Sequence, residues 1–596
     1  MKTKKSTHKK NQHKKKYEWD LSVFYSSAKD PQIEKDQQQA DNAYAAFVRK
    51  YSKNKAHLSQ PKALAKALAD YEKLAELPAD KLGFYAFYRK DLNSEDKEAA
   101  ALLAKLTERE TKRSNSLLFF VLELGKISKT KQQQFLKSPL LEEYRYFLKE
   151  VFDDAKYTLS EPEEKILSLK ADLSYSRWVQ ATENILNTKT VSFKKKTLPL
   201  PQAEMMMQDL GTRDRRTLHA GILEQYKSVS QVAESELNAI YTNKKINDEL
   251  RGYKTPDEAT IRGNDNDVKS IRALNTAVTD AYRVSHRFYK IKAKLLGLKK
   301  LHYADRTAKV GTLGKKIPFD KAFENVREVF DALDPKYVAI IDRLLKNKQI
   351  DVYPKQGKSG GAYCAHGVGV PTFVLLNHVD TFESLKTLAH ELGHAIHSER
   401  SKEQRPLYES YTTSAAETAS TFFEYAALHH FVDKLPEEDK IIALHNVIQD
   451  DISTVFRQIA VYQFEYELHE RIRSEGYLSK EAIAALMNKH MKAYLGPVFE
   501  LTPDDGYFFV TWSHIRRFFY VYSYAYGQLI SKALHSKLEK DASFIHKVDE
   551  FLSAGGSSSP EDIFGSIGVN TRKVDVFEEG IKSIERDVKL LEKLVR

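Results

Sequence analysis

Apolar positions recur at helical spacing along most of the chain. After Pro61, the residues Ala63, Leu64, Leu68, Tyr71 and Leu74 form one stripe; Ala99 to Leu106 begins another, and Glu161 to Leu169 a third. This pattern predicts successive helices between Tyr17 and about Thr188. Around Lys189 to Pro201 it gives way to Thr-Val-Ser-Phe, a lysine run and two prolines, which reads as a link between two parts of the chain. Helical periodicity then resumes over roughly 204–299 and again from Phe319 to Lys346. Ser359-Gly360-Gly361-Ala362-Tyr363-Cys364, followed by Gly367, Gly369 and Pro371, interrupts it, and Thr372-Phe-Val-Leu-Leu-Asn377 is β-prone. A small sheet is expected there, either as a buried hairpin or with an exposed edge strand able to pair with an extended peptide.

The next helical stretch carries the most informative residues. Leu385, Leu388, Leu392, Ala395 and Ile396 form its apolar stripe, and Asp380-Thr381-Phe382-Glu383 reads as an N-cap followed by an acid three positions on. Within it stands His390-Glu391-Leu-Gly-His394. Histidines four apart share one helix face, so both imidazoles can reach one metal ion, and Glu391 projects beside it as a proton acceptor. This is the H-E-x-x-H arrangement of zinc hydrolases.

A catalytic zinc needs a third protein ligand and an open position for water. The following helical segment, Ser414 to Phe431, offers Glu417 and Glu424, seven apart and so on one face. Ser414-Ala-Ala-Glu417 also reads as a capping box, a purely structural use. Ala415, Ala416 and Ala419 leave little bulk around Glu417 and would let the two helices approach closely. That favours Glu417 as third ligand, with Glu424 as the acceptor orienting a ligand histidine. His397 is expected to line the cleft or support a ligand rather than bind the metal. Downstream, Thr511 to Tyr526 is dense in aromatic donors, and a phenol or imidazole placed there could stabilise charge developing on a carbonyl oxygen.

Composition narrows the class without naming it. A chain of 596 residues, 42% hydrophobic and 11% aromatic, has enough material for a large core. Its single cysteine, Cys364, excludes an intramolecular disulfide and has no evident nucleophile's partner. The longest apolar run, Leu117 to Leu122, is too short for a membrane span, and no apolar segment follows the N-terminus as in a secretory signal. A cytoplasmic protein without membrane attachment is expected. The net charge of +12 includes eight lysines in residues 1–16, leaving about +4 beyond them. That tail reads as disordered and solvated, and nucleic acid is an unfavoured partner. Deleting it should leave turnover nearly unchanged; a large fall in kcat/KM with folding intact would show that the tail captures substrate.

Several motifs together resemble oligoendopeptidase F, of the thimet-oligopeptidase-like zinc metallopeptidases. They are Tyr17-Glu-Trp-Asp-Leu21, Gly357-Lys-Ser-Gly-Gly-Ala-Tyr363, His390-Glu-Leu-Gly-His394, Ala416-Glu417-Thr-Ala-Ser-Thr421, Trp512-Ser-His514 with its tyrosines, and Phe551-Leu-Ser-Ala-Gly-Gly-Ser557. The resemblance implies a mainly α, zincin-type metallopeptidase with a deep substrate channel and a small sheet beside the zinc helix. Its implied organisation is the tail (1–16), an N-terminal helical domain (17–200) and a catalytic domain (201–596). It further implies one zinc ion per chain, bound by His390, His394 and Glu417, with Glu391 as base and short unstructured peptides as substrates. His514 carries over as an oxyanion donor, and among the tyrosines Tyr520 and Tyr522 are chosen. Gly360, Gly361, Ala362 and Tyr363 become the candidate substrate-binding residues. A metallocarboxypeptidase of similar fold and a polyanion-binding protein with a non-catalytic metal stand as alternatives.

Overall fold

The computed structural model describes residues 17–314 and 316–596; the lysine tail lies outside them. Among the described residues, helices dominate and β-structure is confined to three small sheets. Pro31, Pro61 and Pro335 each open a helix, where the missing N–H has no intrahelical partner to lose.

The N-terminal helices enclose a core of their own around Phe47, Leu68, Phe120 and Leu148. The expected link is a β-hairpin, strands β1 (Thr190–Phe193) and β2 (Lys196–Pro199), turned by Lys194 and Lys195 with φ of 48° and 64°. Val191, Phe193 and Leu198 of this hairpin are buried in the large core of the following region. The earliest described segment also reaches across the chain. The Trp19 indole donates to the carbonyls of Gln349 (3.0 Å) and Val374 (2.9 Å), seating that segment on the sheet that precedes the histidine-bearing helix.

That sheet has the order β3 (Ile350–Asp351), β5 (Val370–Leu375), β4 (Tyr363–Gly367). The β-prone run is therefore the buried central strand, and β4 is the half-buried edge, antiparallel to it with a bulge between Ala365 and Gly367. The end of helix α1 (Ala79–Leu92) clamps the glycine-rich loop before β4: Asp91 accepts from Ser359 Oγ at 2.8 Å and Tyr363 Oη at 2.6 Å.

The long α2 (Thr212–Arg251), then α3 (Phe382–Ser401), α4 (Thr413–Asp433) and α5 (Tyr522–Lys540) frame the rest of the site. Helices α3 and α4 meet at Gly393, where an added Cβ would lie 2.9 Å from Ser420 Cα and 3.1 Å from Phe423 Cβ. Helices α4 and α5 meet at Gly527, whose Cβ would lie 2.9 Å from that of Glu417. The close approach expected from alanines beside Glu417 is thus made by glycines on the two partner helices. Gly393→Ala should cost about 1–3 kcal/mol through overpacking, read as a lowered thermal unfolding midpoint; an unchanged midpoint would contradict the contact. No helix of the described residues is long and apolar enough to cross a membrane.

Candidate active site

Helix α3 begins one residue later than the sequence suggests. Thr381 is the cap, its Oγ accepting the Ser384 N–H at 3.2 Å, while Asp380 turns into the left-handed region with φ of 58°. Helix α4 is likewise capped by Thr412. Ser414 is not a cap, so the capping-box use of Glu417 does not occur and its carboxylate is free for other work.

That carboxylate faces the histidines of α3. A nitrogen of His390, a nitrogen of His394 and an oxygen of Glu417 all lie within 4.8 Å of one another, an arrangement that could hold a metal ion. The two imidazoles stand edge to face with centroids 4.8 Å apart. His390 Nε2 is 3.6 Å from Glu417, while its Nδ1 lies 2.8 Å from Glu424 Oε2. Glu424 therefore takes the ring nitrogen that points away from the cluster, which orients the imidazole and leaves Nε2 for a metal. Lys386, whose Nζ is 2.6 Å from Asp450, helps to keep the buried Glu424 carboxyl below its usual range.

The electrostatics suit a cation. Burial disfavours an imidazolium at His390, but Glu424, Glu391 and Glu417 outweigh it and lift its pKa to about 9. His394, buried and beside His390, is pushed well below its usual range. Burial raises Glu391 to about 7 and also raises Glu417. Glu391 is 7% exposed and its Oε2 has no hydrogen-bond partner. Three carboxylates around two imidazoles leave a surplus of negative charge that a divalent metal would balance. The cluster opens on a cavity of about 360 Å³ whose lining includes Glu391, Glu417, Thr421, Tyr524 and Gln528.

The aromatic segment divides. His514 sits in a 3-10 turn held by the buried Arg516, which pairs with Glu236 of α2 at 2.7 Å. Phe518 and Phe519 follow with φ of 53° and 63°, a costly backbone for bulky side chains, and Glu465 accepts the Phe519 N–H at 2.9 Å. The His514 ring stacks on Tyr520 at 5.4 Å, and Tyr520 meets Tyr524 edge to face at 5.7 Å. Tyr522 is a correction to the sequence reading: it is fully buried, its hydroxyl donating to Asn266 at 3.0 Å and accepting from Asn264 at 3.1 Å. Two helical positions further on, Tyr524 is the tyrosine that lines the cavity. Its signal was present in the sequence as the four-residue spacing of Tyr524 and Gln528, which share one helix face.

His397 also departs from expectation. It lies buried, stacked on Tyr411 at 3.6 Å, with neither ring nitrogen hydrogen-bonded, and burial pushes its pKa down to about 3. It is a core residue and does not line the cavity. Gly360, Gly361 and Ala362 lead into β4, and Asn377 accommodates the loop by donating to the Gly361 carbonyl at 2.8 Å. Within β4, the Cys364 backbone N–H hydrogen-bonds to Glu391, so the edge strand runs directly beside the H-E-x-x-H glutamate. Burial raises the Cys364 thiol far above its usual range, which leaves it unreactive.

Residues 205–583 match the model of peptidase family M3, and residues 123–191 match an oligopeptidase F model. The chain belongs to peptidase family M3. It is a peptidase, and its substrates are peptides. Similar members include oligopeptidase PepF of Bacillus subtilis, 25% identical over 89% of this chain and 81% of that protein. Group B oligopeptidase PepB of Streptococcus agalactiae is 24% identical over 97% of both chains. Among solved structures, the oligoendopeptidase-F of Enterococcus faecium aligns with a TM-score of 0.68 at 20% identity, covering 95% of this chain and 97% of its own. A candidate peptidase from Chlamydophila abortus reaches 0.85 at 22% identity, over 97% and 98%. These M3 peptidases share the mainly helical fold with small sheets.

Proposed function

We propose that this M3 peptidase is a zinc-dependent endopeptidase that cuts internal bonds of short, unstructured peptides in the cytoplasm. The observation that carries the reading is the convergence of His390, His394 and Glu417 beside the unpaired oxygen of Glu391. Relatives named oligoendopeptidase F support the endopeptidase over the carboxypeptidase alternative.

His390, His394 and Glu417 would hold the zinc, which when bound would supply the positive charge that acidifies water and polarises a peptide carbonyl. Glu391 accepts the proton of the attacking water and delivers it to the leaving nitrogen. Glu424 keeps the His390 ring in the tautomer that turns Nε2 toward the cluster. Tyr524, from the cavity wall, and His514, through the stacked Tyr520, form the side on which an oxyanion would be steadied. Strand β4, headed by Gly360, Gly361, Ala362 and Tyr363, offers edge hydrogen bonds to an extended substrate next to Glu391. Main-chain pairing of this kind favours unstructured peptides and asks little of their sequence.

The test is metal analysis and peptide turnover on one purified sample. An internally quenched peptide blocked at both ends should be cut, chelation should abolish cutting and zinc should restore it. Cleavage only of unblocked C-termini, or full activity without metal, would sink the reading. Tyr524→Phe should lower kcat by about 10²-fold, whereas Tyr522→Phe should cost only about 1 kcal/mol of stability. Steady-state kinetics of the two variants distinguish these roles, and equal kinetic losses would count against the assignment of Tyr524.

A further inference from the structure

A second cavity, of about 410 Å³, is lined by His514 and by two arginines that the chemistry above does not use, the buried Arg306 and the half-buried Arg457. Arg306 is 9% exposed, and its Nε has no hydrogen-bond partner; the same holds for the buried Nε of Arg457. Neither guanidinium forms an ion pair with a carboxylate among the described residues. Arg457 lies over the Trp512 ring at 4.0 Å and the Phe508 ring at 5.4 Å, and Arg306 over Tyr303 at 5.5 Å. Aromatic faces partly compensate a guanidinium, and the Tyr303 hydroxyl takes one hydrogen bond from Arg306, but the other in-plane N–H groups are left for an acceptor.

The cationic character of the pocket shows in its neighbours. Lys292, buried with its Nζ donating to the Arg306 carbonyl at 2.7 Å, is pushed well below its usual pKa by burial and by Arg306. His514 is lowered by burial and then by Arg457. The one acid in the lining, Glu204, accepts the Tyr226 hydroxyl and is raised by burial, so it offers the arginines little counter-charge. Asp305, directly before Arg306 in sequence, is committed to Arg215 and Arg216.

Connectivity ties this pocket to the reaction. The π-helical turn Ile452–Arg457 places Thr454 in the wall of the metal cavity and Arg457 in the wall of the second pocket. Such turns interrupt α-helices at functional sites at some cost in hydrogen-bond geometry. His514 belongs to the lining of the second pocket, and its ring is 6.3 Å from that of Tyr524, which lines the first. A peptide crossing the metal cavity could therefore continue past His514 into the arginine pocket.

We propose that Arg457 and Arg306 form an anion-recognising subsite that takes a carboxylate of the peptide, with Trp512, Phe508 and Tyr303 packing its flanking apolar groups. The carboxylate belongs either to an acidic side chain or to the C-terminus of a short substrate. In both cases a planar guanidinium offers paired, charge-assisted hydrogen bonds. The proposal rests on the endopeptidase reading above.

The experiment compares quenched peptides of one core sequence that carry a free carboxyl or an amide at the C-terminus, and Glu or Gln at each position on the leaving side. The wild-type enzyme should prefer at least one carboxylate over its amide by about 10-fold or more in kcat/KM. The position of that preference tells a terminal from a side-chain carboxylate. Arg457→Met, and separately Arg306→Met, should shrink the preference at least about 10-fold. Equal kcat/KM for every acid–amide pair on the wild-type enzyme would overturn the proposal without any variant. A preference that survives in both folded variants would overturn it as well. If no peptide of the set is cut at all, the endopeptidase reading fails instead, so the two failures are distinguishable.

Discussion

Glu391→Gln should retain its metal and lose nearly all hydrolysis. Glutamine keeps the size and the hydrogen-bonding reach of the side chain but cannot take a proton from water. The structure strengthens the expectation, because Glu391 is almost wholly buried, one carboxylate oxygen is unpaired, and the other histidine-facing carboxylates already have assigned partners. A fall in kcat of about 10²–10⁴-fold is expected for loss of a general base. Metal content of the variant, measured on the sample used for kinetics, should equal that of the wild type. Comparable turnover in a metal-replete variant would remove Glu391 from the mechanism.

The two glutamates of α4 should differ sharply. Glu417→Ala leaves only two imidazoles, too few to keep zinc against a chelator, and activity should vanish with the metal. Glu424→Ala removes the partner of His390 Nδ1 and should weaken metal binding or activity by only about 10–100-fold. Chelator titration of both variants followed by metal analysis decides the order. Zinc lost from Glu424→Ala but kept by Glu417→Ala would mean that the ligand roles are reversed. The geometry argues for the stated order: the Glu424 carboxylate is 2.8 Å from the nitrogen that points away from the cluster, and Glu417 faces the nitrogen that points into it.

Parts of the site were legible because they depend on short-range periodicity. His390, Glu391 and His394 lie on one helix, and their relative placement follows from its pitch alone. Glu417 and Glu424 share a face for the same reason. The helix starts were less legible, since Asp380, Thr381, Thr412 and Ser414 are all competent caps. Which one acts depends on where the incoming chain turns. The tyrosines show the limit most clearly: at Tyr520, Tyr522, Tyr524 and Tyr526 they alternate every second residue. A helix sends such neighbours to opposite faces, so choosing among them requires the register in which α5 meets α4.

Sequence alone thus determined the helical class, the small sheet, the H-E-x-x-H helix and the two carboxylates that could complete a metal site. All of these rest on spacings of a few residues and on backbone preferences that survive in any packing. Tertiary structure decided which glutamate faces which imidazole nitrogen, that Tyr524 rather than Tyr522 reaches the cavity, and that His397 belongs to the core. It also decided that Arg306, Arg457 and His514, far apart in sequence, share one pocket. Those outcomes depend on helix crossings set by single close contacts such as Gly393 on Ser420 and Gly527 on Glu417. A crossing is a property of two surfaces at once, and no single stretch of chain encodes it.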